Sequence, residues 1–219
     1  MNVHVVVEGV VSEKKIYRAW IPFLNPNLSY VDHISLMTND NFSIVSGGGF
    51  PNYFSTIEAA IEDVNSYSNI DKLVIAVDSE DFTYSEKKNE ITSFLSHLHC
   101  TVGINIIIQH FCIETWALGN QKIMRPNPQS SELREYKKIF NVRLSDPECL
   151  PPHKKEELNR AQFAERYLRY ALNDKYRNLS YSKSNPEIML HSKYFKSLCM
   201  RYEKTEHIKS FNDFLLAFN

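Results

Sequence analysis

Three apolar runs each end in acid: VHVVVEG (residues 3–9), KLVIAVDSED (72–81) and INIIIQHFCIE (104–114). A strand that is apolar on both faces belongs in the interior of a parallel sheet, with helices covering it on either side. Around these runs the periodicity changes. After the first comes SEKKIYRAWIPFL, where Ser12 reads as an N-cap and Ile16, Trp20 and Leu24 recur at helical spacing. Residues 33–38 (HISLMT) and 42–45 are short apolar segments that read as one or two strands. Gly47, Gly48, Gly49 and Pro51 then precede a second helical stretch over 52–67. A third covers 84–99, with Ile91, Phe94, Leu95 and Leu98 on one face, and 113–118 reads as a short helix. Alternating strands and helices imply right-handed crossovers, so the expected fold class is α/β, a mainly parallel sheet flanked by helices.

After Asn120 the texture differs. Residues 124–131 and 145–152 are rich in Pro and Ser and read as loops, helical patterns cover 161–176, 186–203 and 210–218, and no further strand is expected. The expected organisation is a sheet module over 1–120 and a basic, mainly helical extension over 121–219. The charge divides the same way. Residues 1–120 hold 6 Lys and Arg against 14 Asp and Glu, a net of −8, and residues 121–219 hold 19 against 12, a net of +7. An acidic half that can hold cations beside a basic half that can hold phosphate suits an enzyme of nucleic acid. Solvated helix faces explain the same charges without any ligand.

Other classes are disfavoured. No run approaches the roughly 18 consecutive apolar residues of a membrane span, and MNVHVVVEG lacks the basic start and cleavage site of a secretory leader. Cys100, Cys112, Cys149 and Cys199 are scattered without zinc-ligand spacing, as expected of reduced thiols in a cytoplasmic protein. The histidines form no HExxH pattern, and the glycines at 47–49 are not followed by the GK[ST] of a phosphate loop.

What remains is the acid at the strand ends. In open parallel sheets ligands sit at the carboxyl ends of the strands, which would bring Glu8, Asp78, Glu80, Asp81 and Glu114 to one edge. Oxygen-rich clusters of this kind suit Mg²⁺ or Mn²⁺. Asp78 and Glu80, two apart on an extended backbone, would share one side and one ion. Glu114 reads either as another ligand or base, or as a satisfied glutamate in a packing corner beside Trp116. Glu13 reads as a first-turn helix acid. Lys183, in the loop YSKS, is placed to neutralise a phosphate, while Arg166, Arg169, Lys193 and Lys196, with Tyr167 and Tyr170, would line a backbone groove or simply face solvent.

VVVEG (5–9) and VIAVDSED (74–81) resemble the glutamate and DxD motifs of the TOPRIM domain, a Rossmann-like metal-binding fold. HFCIETWALGN (110–120) is similar to the E-x-W segment of small RloB-like and OLD-nuclease-related TOPRIM proteins of phage defence. The resemblance implies general acid–base work for Glu8 and Mg²⁺ binding by Asp78 and Glu80, in a nuclease cleaving phosphodiester bonds. Two departures stand out: the second acid of DxD is Glu80, with Asp81 beside it, and the acid after Glu8 is Glu13, one position later than in OLD-type proteins. A non-catalytic subunit working with a partner ATPase, a nucleotidyl-transfer enzyme, and a homo-oligomer are compatible with the same residues.

Overall fold

The structure, a computed structural model, describes residues 1–176 and 181–219. It is α/β, with a five-stranded, all-parallel sheet flanked by helices, consistent with a Rossmann-like fold. The strands are β1 (Val3–Val7), β2 (Ser29–Tyr30), β3 (Asn41–Ser46), β4 (Lys72–Asp78) and β5 (Gly103–Gln109), in the order β2-β3-β1-β4-β5. β1 pairs with β3 from Val3 opposite Phe42 to Val7 opposite Ser46, and with β4 from Val3 opposite Lys72 to Val7 opposite Ala76.

The chain divides into two compact units. The first comprises Met1–Val77, Tyr84–Ile108 and Asp213–Asn219, and the second Asp78–Thr83 and Gln109–Asn212. In the first unit every residue of β1 is buried. Val6 packs with Leu73, Ile75 and Val77 of β4 under Tyr53, Ile57, Ile61 and Val64 of α2 (Tyr53–Ser66). Val3, Val5 and Val7 alternate to the opposite face and are as deeply buried. α1 (Ser12–Leu24) meets the end of the chain, with Tyr17 and Trp20 edge-on to Phe214 at 5.1 and 5.9 Å. Phe214 belongs to α8 (Phe211–Phe218), whose last carbonyls accept from Lys72 Nζ (Ala217 O, 2.8 Å) and Asn25 Nδ2 (Phe218 O, 3.2 Å). These are carbonyls that a helix leaves without internal partners, and an ammonium there also meets the negative end of the helix dipole.

The second unit is helical. α4 (Ile113–Leu118) and α5 (Ser131–Ile139) pack on α6 (Arg160–Lys175), followed by α7 (Ser192–Thr205). α6 starts with a capping box, Asn159 accepting from Gln162 N–H at 2.8 Å and Gln162 accepting from Asn159 N–H at 3.1 Å. Arg201 of α7, buried, donates to the carbonyls of Val142, Arg143 and Ser145 at 3.0–3.3 Å and pins that loop.

Several local expectations are corrected. Residues 33–38 are not a strand: Ile34–Leu36 is a 3-10 turn started by His33, whose Nδ1 accepts from Ser35 N–H at 3.2 Å. Ser12 is inside α1, with Val11 as the N-cap residue and no side-chain cap. Residues 131–139, left unassigned by the sequence reading, form α5, capped by Ser130 at 3.1 Å from Leu133 N–H. Tyr167 lies in the core with its hydroxyl on Phe140 O at 2.8 Å and does not line an open groove, while Arg166, half-buried, pairs with Glu156 at 2.5 Å. No helix among the described residues is long and apolar enough to cross a membrane.

His4 is an exception within the apolar β1. Its Nδ1 lies within hydrogen-bond distance of Ser43 Oγ at 2.7 Å, across the register pair of β1 and β3, and Nε2 has no hydrogen-bond partner among the described residues. Burial lowers its pKa from 6.5 to about 4, with the field of Asp63 opposing and that of His33 assisting. A ring kept neutral in the native state binds fewer protons than the unfolded chain between these values, so its contribution is present above pH 6.5 and is lost as pH falls towards 4. His4→Val is expected to remove up to about 3 kcal/mol of acid sensitivity across that window. Urea titrations at pH 7.5 and 4.5 check this: equal pH dependence in wild type and variant would contradict it.

Candidate functional site

In the first unit the end of β1 is held from three directions. Glu8 N–H donates to Ala76 O at 3.0 Å, Gly47 N–H to Val7 O at 2.7 Å, and Gly49 N–H to Glu8 O at 3.1 Å. Ser46 Oγ donates to Gly9 O at 3.0 Å. Glycine is needed here for close approach. A Cβ on Gly9 would lie 2.5 Å from Glu13 Oε1, and one on Gly47 would lie 2.6 Å from Tyr53 Cβ. Gly48 and Gly49 have φ of +73° and +80°, a region that glycine enters without strain. Glu8 and Glu13 are both buried, so Glu13 is a first-turn acid whose carboxylate sits against the Gly9 backbone. Lys87, also buried, donates to Tyr53 OH at 3.2 Å and Glu90 Oε2 at 2.8 Å. Burial raises the Tyr53 pKa, Lys87 lowers it, and the field of Glu8 adds to the rise.

The remaining residues singled out from the sequence belong to the second unit, which begins at the last residue of β4. Asp78 is 7% exposed and Ser79 wholly buried. Ser79 N–H donates to Gln109 O at 3.0 Å and Glu80 N–H to Phe111 O at 2.9 Å, so the two strand ends stay paired beyond the sheet. The backbone then turns. Glu80 has φ +52° and is exposed, as is Asp81. Asp78 at the strand end is buried, while Glu80, two residues on and itself left-handed, is exposed.

Ser79 Oγ accepts from Phe111 N–H at 2.8 Å and lies 3.0 Å from His110 Nδ1. After accepting from the backbone, Oγ keeps one lone pair and its own proton, so either ring tautomer of His110 satisfies the contact. Burial, aided by the field of Arg160, lowers the His110 pKa and keeps the ring neutral. No sequence pattern marked this Ser79–His110 pair, because it forms between neighbouring strand ends.

Glu114 lies in the first turn of α4 and is 1% exposed. Its Oε1 accepts from the Tyr181 hydroxyl, whose pKa is pushed up by burial and then by Glu114. Trp116, fully buried, donates to Ser210 Oγ at 2.7 Å. The packing-corner reading of the E-x-W segment therefore describes the immediate contacts of both residues. Glu114 also acts at a distance. Lys183 lies exposed in the turn closed by Ser182 and Asn185. Partial desolvation alone would lower its pKa, but the fields of Glu114, Asp78, Cys112 and Glu80 hold it above its ordinary value. Asp78, Glu80, Glu114 and Lys183 thus form one electrostatic group.

The donor types fit a hard cation. Asp78 and Glu80 offer oxygen, Cys112 is kept protonated by burial and by Glu114 and Asp78, and His110 Nδ1 is taken by Ser79. Among the described residues no group of three or more His, Cys, Asp or Glu side chains is gathered to hold a metal ion. Any ion here would be held by one or two carboxylates and by water, as Mg²⁺ often is. Comparison with protein-family models, with curated proteins and with solved structures gives no significant match.

Tyr181→Phe leaves one oxygen of a buried carboxylate without its donor. It is expected to cost about 2 kcal/mol, read from the urea midpoint at unchanged m-value. Adding Glu114→Leu should recover part of that loss, because both members of the pair are then apolar. A Tyr181→Phe protein as stable as wild type would show that the bond carries no net stability.

Proposed function

We propose that the chain is a divalent-metal-dependent nuclease that cleaves nucleic-acid phosphodiester bonds. The observation that carries the reading is the electrostatic coupling of Lys183 to Glu114, Asp78 and Glu80, with Asp78 the last residue of a parallel strand. Sheet ends of this kind are where α/β proteins place ligands. Asp78 and Glu80 would hold Mg²⁺ or Mn²⁺. When bound, such an ion lowers the pKa of a water and polarises a phosphoryl oxygen. Lys183, fully protonated at neutral pH, supplies a second positive charge for a non-bridging phosphate oxygen and offsets the charge that develops there. Glu8, at the end of β1, is the residue that the TOPRIM resemblance assigns to general acid–base work. Phage defence is the setting that resemblance suggests, and the net positive charge of 121–219 suits a polyanionic substrate.

A second reading is a TOPRIM-like binding or regulatory subunit without chemistry, working beside a partner ATPase. One observation favours it. Lys183 already supplies positive charge to the acids, as expected of a site that has exchanged its ion for an internal cation.

Cleavage of single- and double-stranded DNA and RNA, with Mg²⁺, Mn²⁺ or EDTA, separates the two. The nuclease reading predicts activity abolished by EDTA, and lowered at least about 100-fold in Asp78→Ala and Lys183→Ala, with circular dichroism confirming that the variants fold. Glu8→Ala should fall as far. Variants at Glu8 and Asp78 that cleave like wild type would sink the proposal, and a wild type that binds but never cleaves these substrates would favour the second reading.

A further inference from the structure

The second unit carries a cleft of about 340 Å³ lined by Gln121, Pro126, Lys137, Asn141, Arg143 and Leu144. It shares no residue with the acidic group. Residues 121–145 hold six Lys or Arg against Glu132 and Glu135, a net of +4. Part of that charge is committed elsewhere, since Arg125 faces Asp174 at 3.6 Å and Glu135 faces Lys155 at 3.4 Å. The Arg143 guanidinium has no hydrogen bond or ion pair among the described residues.

The walls are fixed by contacts that leave this charge available. Arg143 O accepts from Gln121 Nε2 at 2.6 Å and from Arg201 at 3.0 Å, and Asn141 Oδ1 accepts from Arg143 N–H at 3.2 Å. Lys137 is anchored at the last turn of α5 by a bond to Pro126 O at 2.5 Å and keeps two further N–H donors. Leu144, 73% exposed, and Pro126 add apolar surface, and the Gln121 and Asn141 amides can both donate and accept.

We infer that this cleft binds one nucleotide unit of a nucleic-acid strand, its phosphate held by Lys137 and Arg143 and its sugar or base laid against Leu144 and Pro126. The size matches a small ligand, since such pockets span about 300–1,000 Å³. A protein partner would need a contact area of about 800 Å² on this side, whereas Lys137 and Arg143 both line a single small concavity. The inference rests on the nucleic-acid part of the function proposed above, and adds a binding site that shares no residue with the acids.

Binding of a labelled 20-nucleotide single strand to the full chain is measured in EDTA, by fluorescence anisotropy over a range of salt. Lys137→Gln/Arg143→Gln is expected to bind at least tenfold more weakly, with the log–log salt slope reduced by about 0.7 for the one lost phosphate contact. Leu144→Glu, an exposed change that spares the fold, should also weaken binding. Asp78→Ala should bind as wild type does, and a nucleoside monophosphate at equal concentration should compete poorly. Wild-type binding with an unchanged affinity and slope in both cleft variants overturns this inference alone. A wild type that binds no strand overturns it together with the nucleic-acid reading.

Discussion

The central strands of this protein are buried on both faces, and that condition governs where its polar chemistry can be. β1 is buried along its whole length and β4 from Leu73 to Asp78, and apart from the buried His4 the polar side chains of these two strands stand at their ends. At the amino end these groups are used up by the backbone. The Asn2 side chain donates to Thr38 O and Asn69 O and accepts from Asn41 N–H, at 2.7–3.0 Å, while Asn2 N–H donates to Asp71 at 2.6 Å. That edge is sewn shut by amides. At the carboxyl end the carbonyls of Ala76, Val7 and Glu8 accept from the backbone N–H groups of Glu8, Gly47 and Gly49, and the residues that follow the strands are acids and a glycine-rich loop.

The second consequence is electrostatic. Carboxylates gathered at strand ends need positive charge, and Lys183 supplies some of it from a turn more than a hundred residues along the chain. The same charge can stabilise a phosphate or replace a metal ion. Geometry alone therefore leaves both a catalytic and a non-catalytic reading physically coherent, and the distinction lies in whether a divalent cation can share the acids with the lysine. Glu114 belongs to the interior side of this group: fully buried, bonded to Tyr181, it shapes the field more readily than it could reach a solvent-borne substrate.

Much of the architecture was legible because it depends on local periodicity. The runs ending at Glu8, Asp78 and Gln109 are apolar on alternate and intervening positions alike, which only a covered parallel sheet accommodates, and α1, α2 and α6 carry apolar residues at helical spacing. α5 was legible too, in the Ser130 cap, Leu133 and Tyr136 on one face and Lys137 and Lys138 at its end, but the Pro- and Ser-rich segment before it masked the signal. The 3-10 turn at Ile34–Leu36 was not, since a short apolar run with a histidine before it fits a strand equally well until the His33 side chain captures a backbone N–H.

Sequence by itself determined the fold class, the acids at the strand ends and the basic character of the chain after residue 120, because hydrophobic period and charge are properties of short stretches. Tertiary structure decided the rest. Asp78 and Glu80 are two residues apart, yet Asp78 is buried and Glu80, itself left-handed, is exposed. Tyr181 is far from Glu114 in the chain and bonded to it in space, and Ser79 finds His110 only because two strand ends run on together. The last helix returns Phe214 to Trp20 and Tyr17 across nearly the whole sequence. These pairings arise from long-range packing, in which burial energy selects partners that no local pattern encodes.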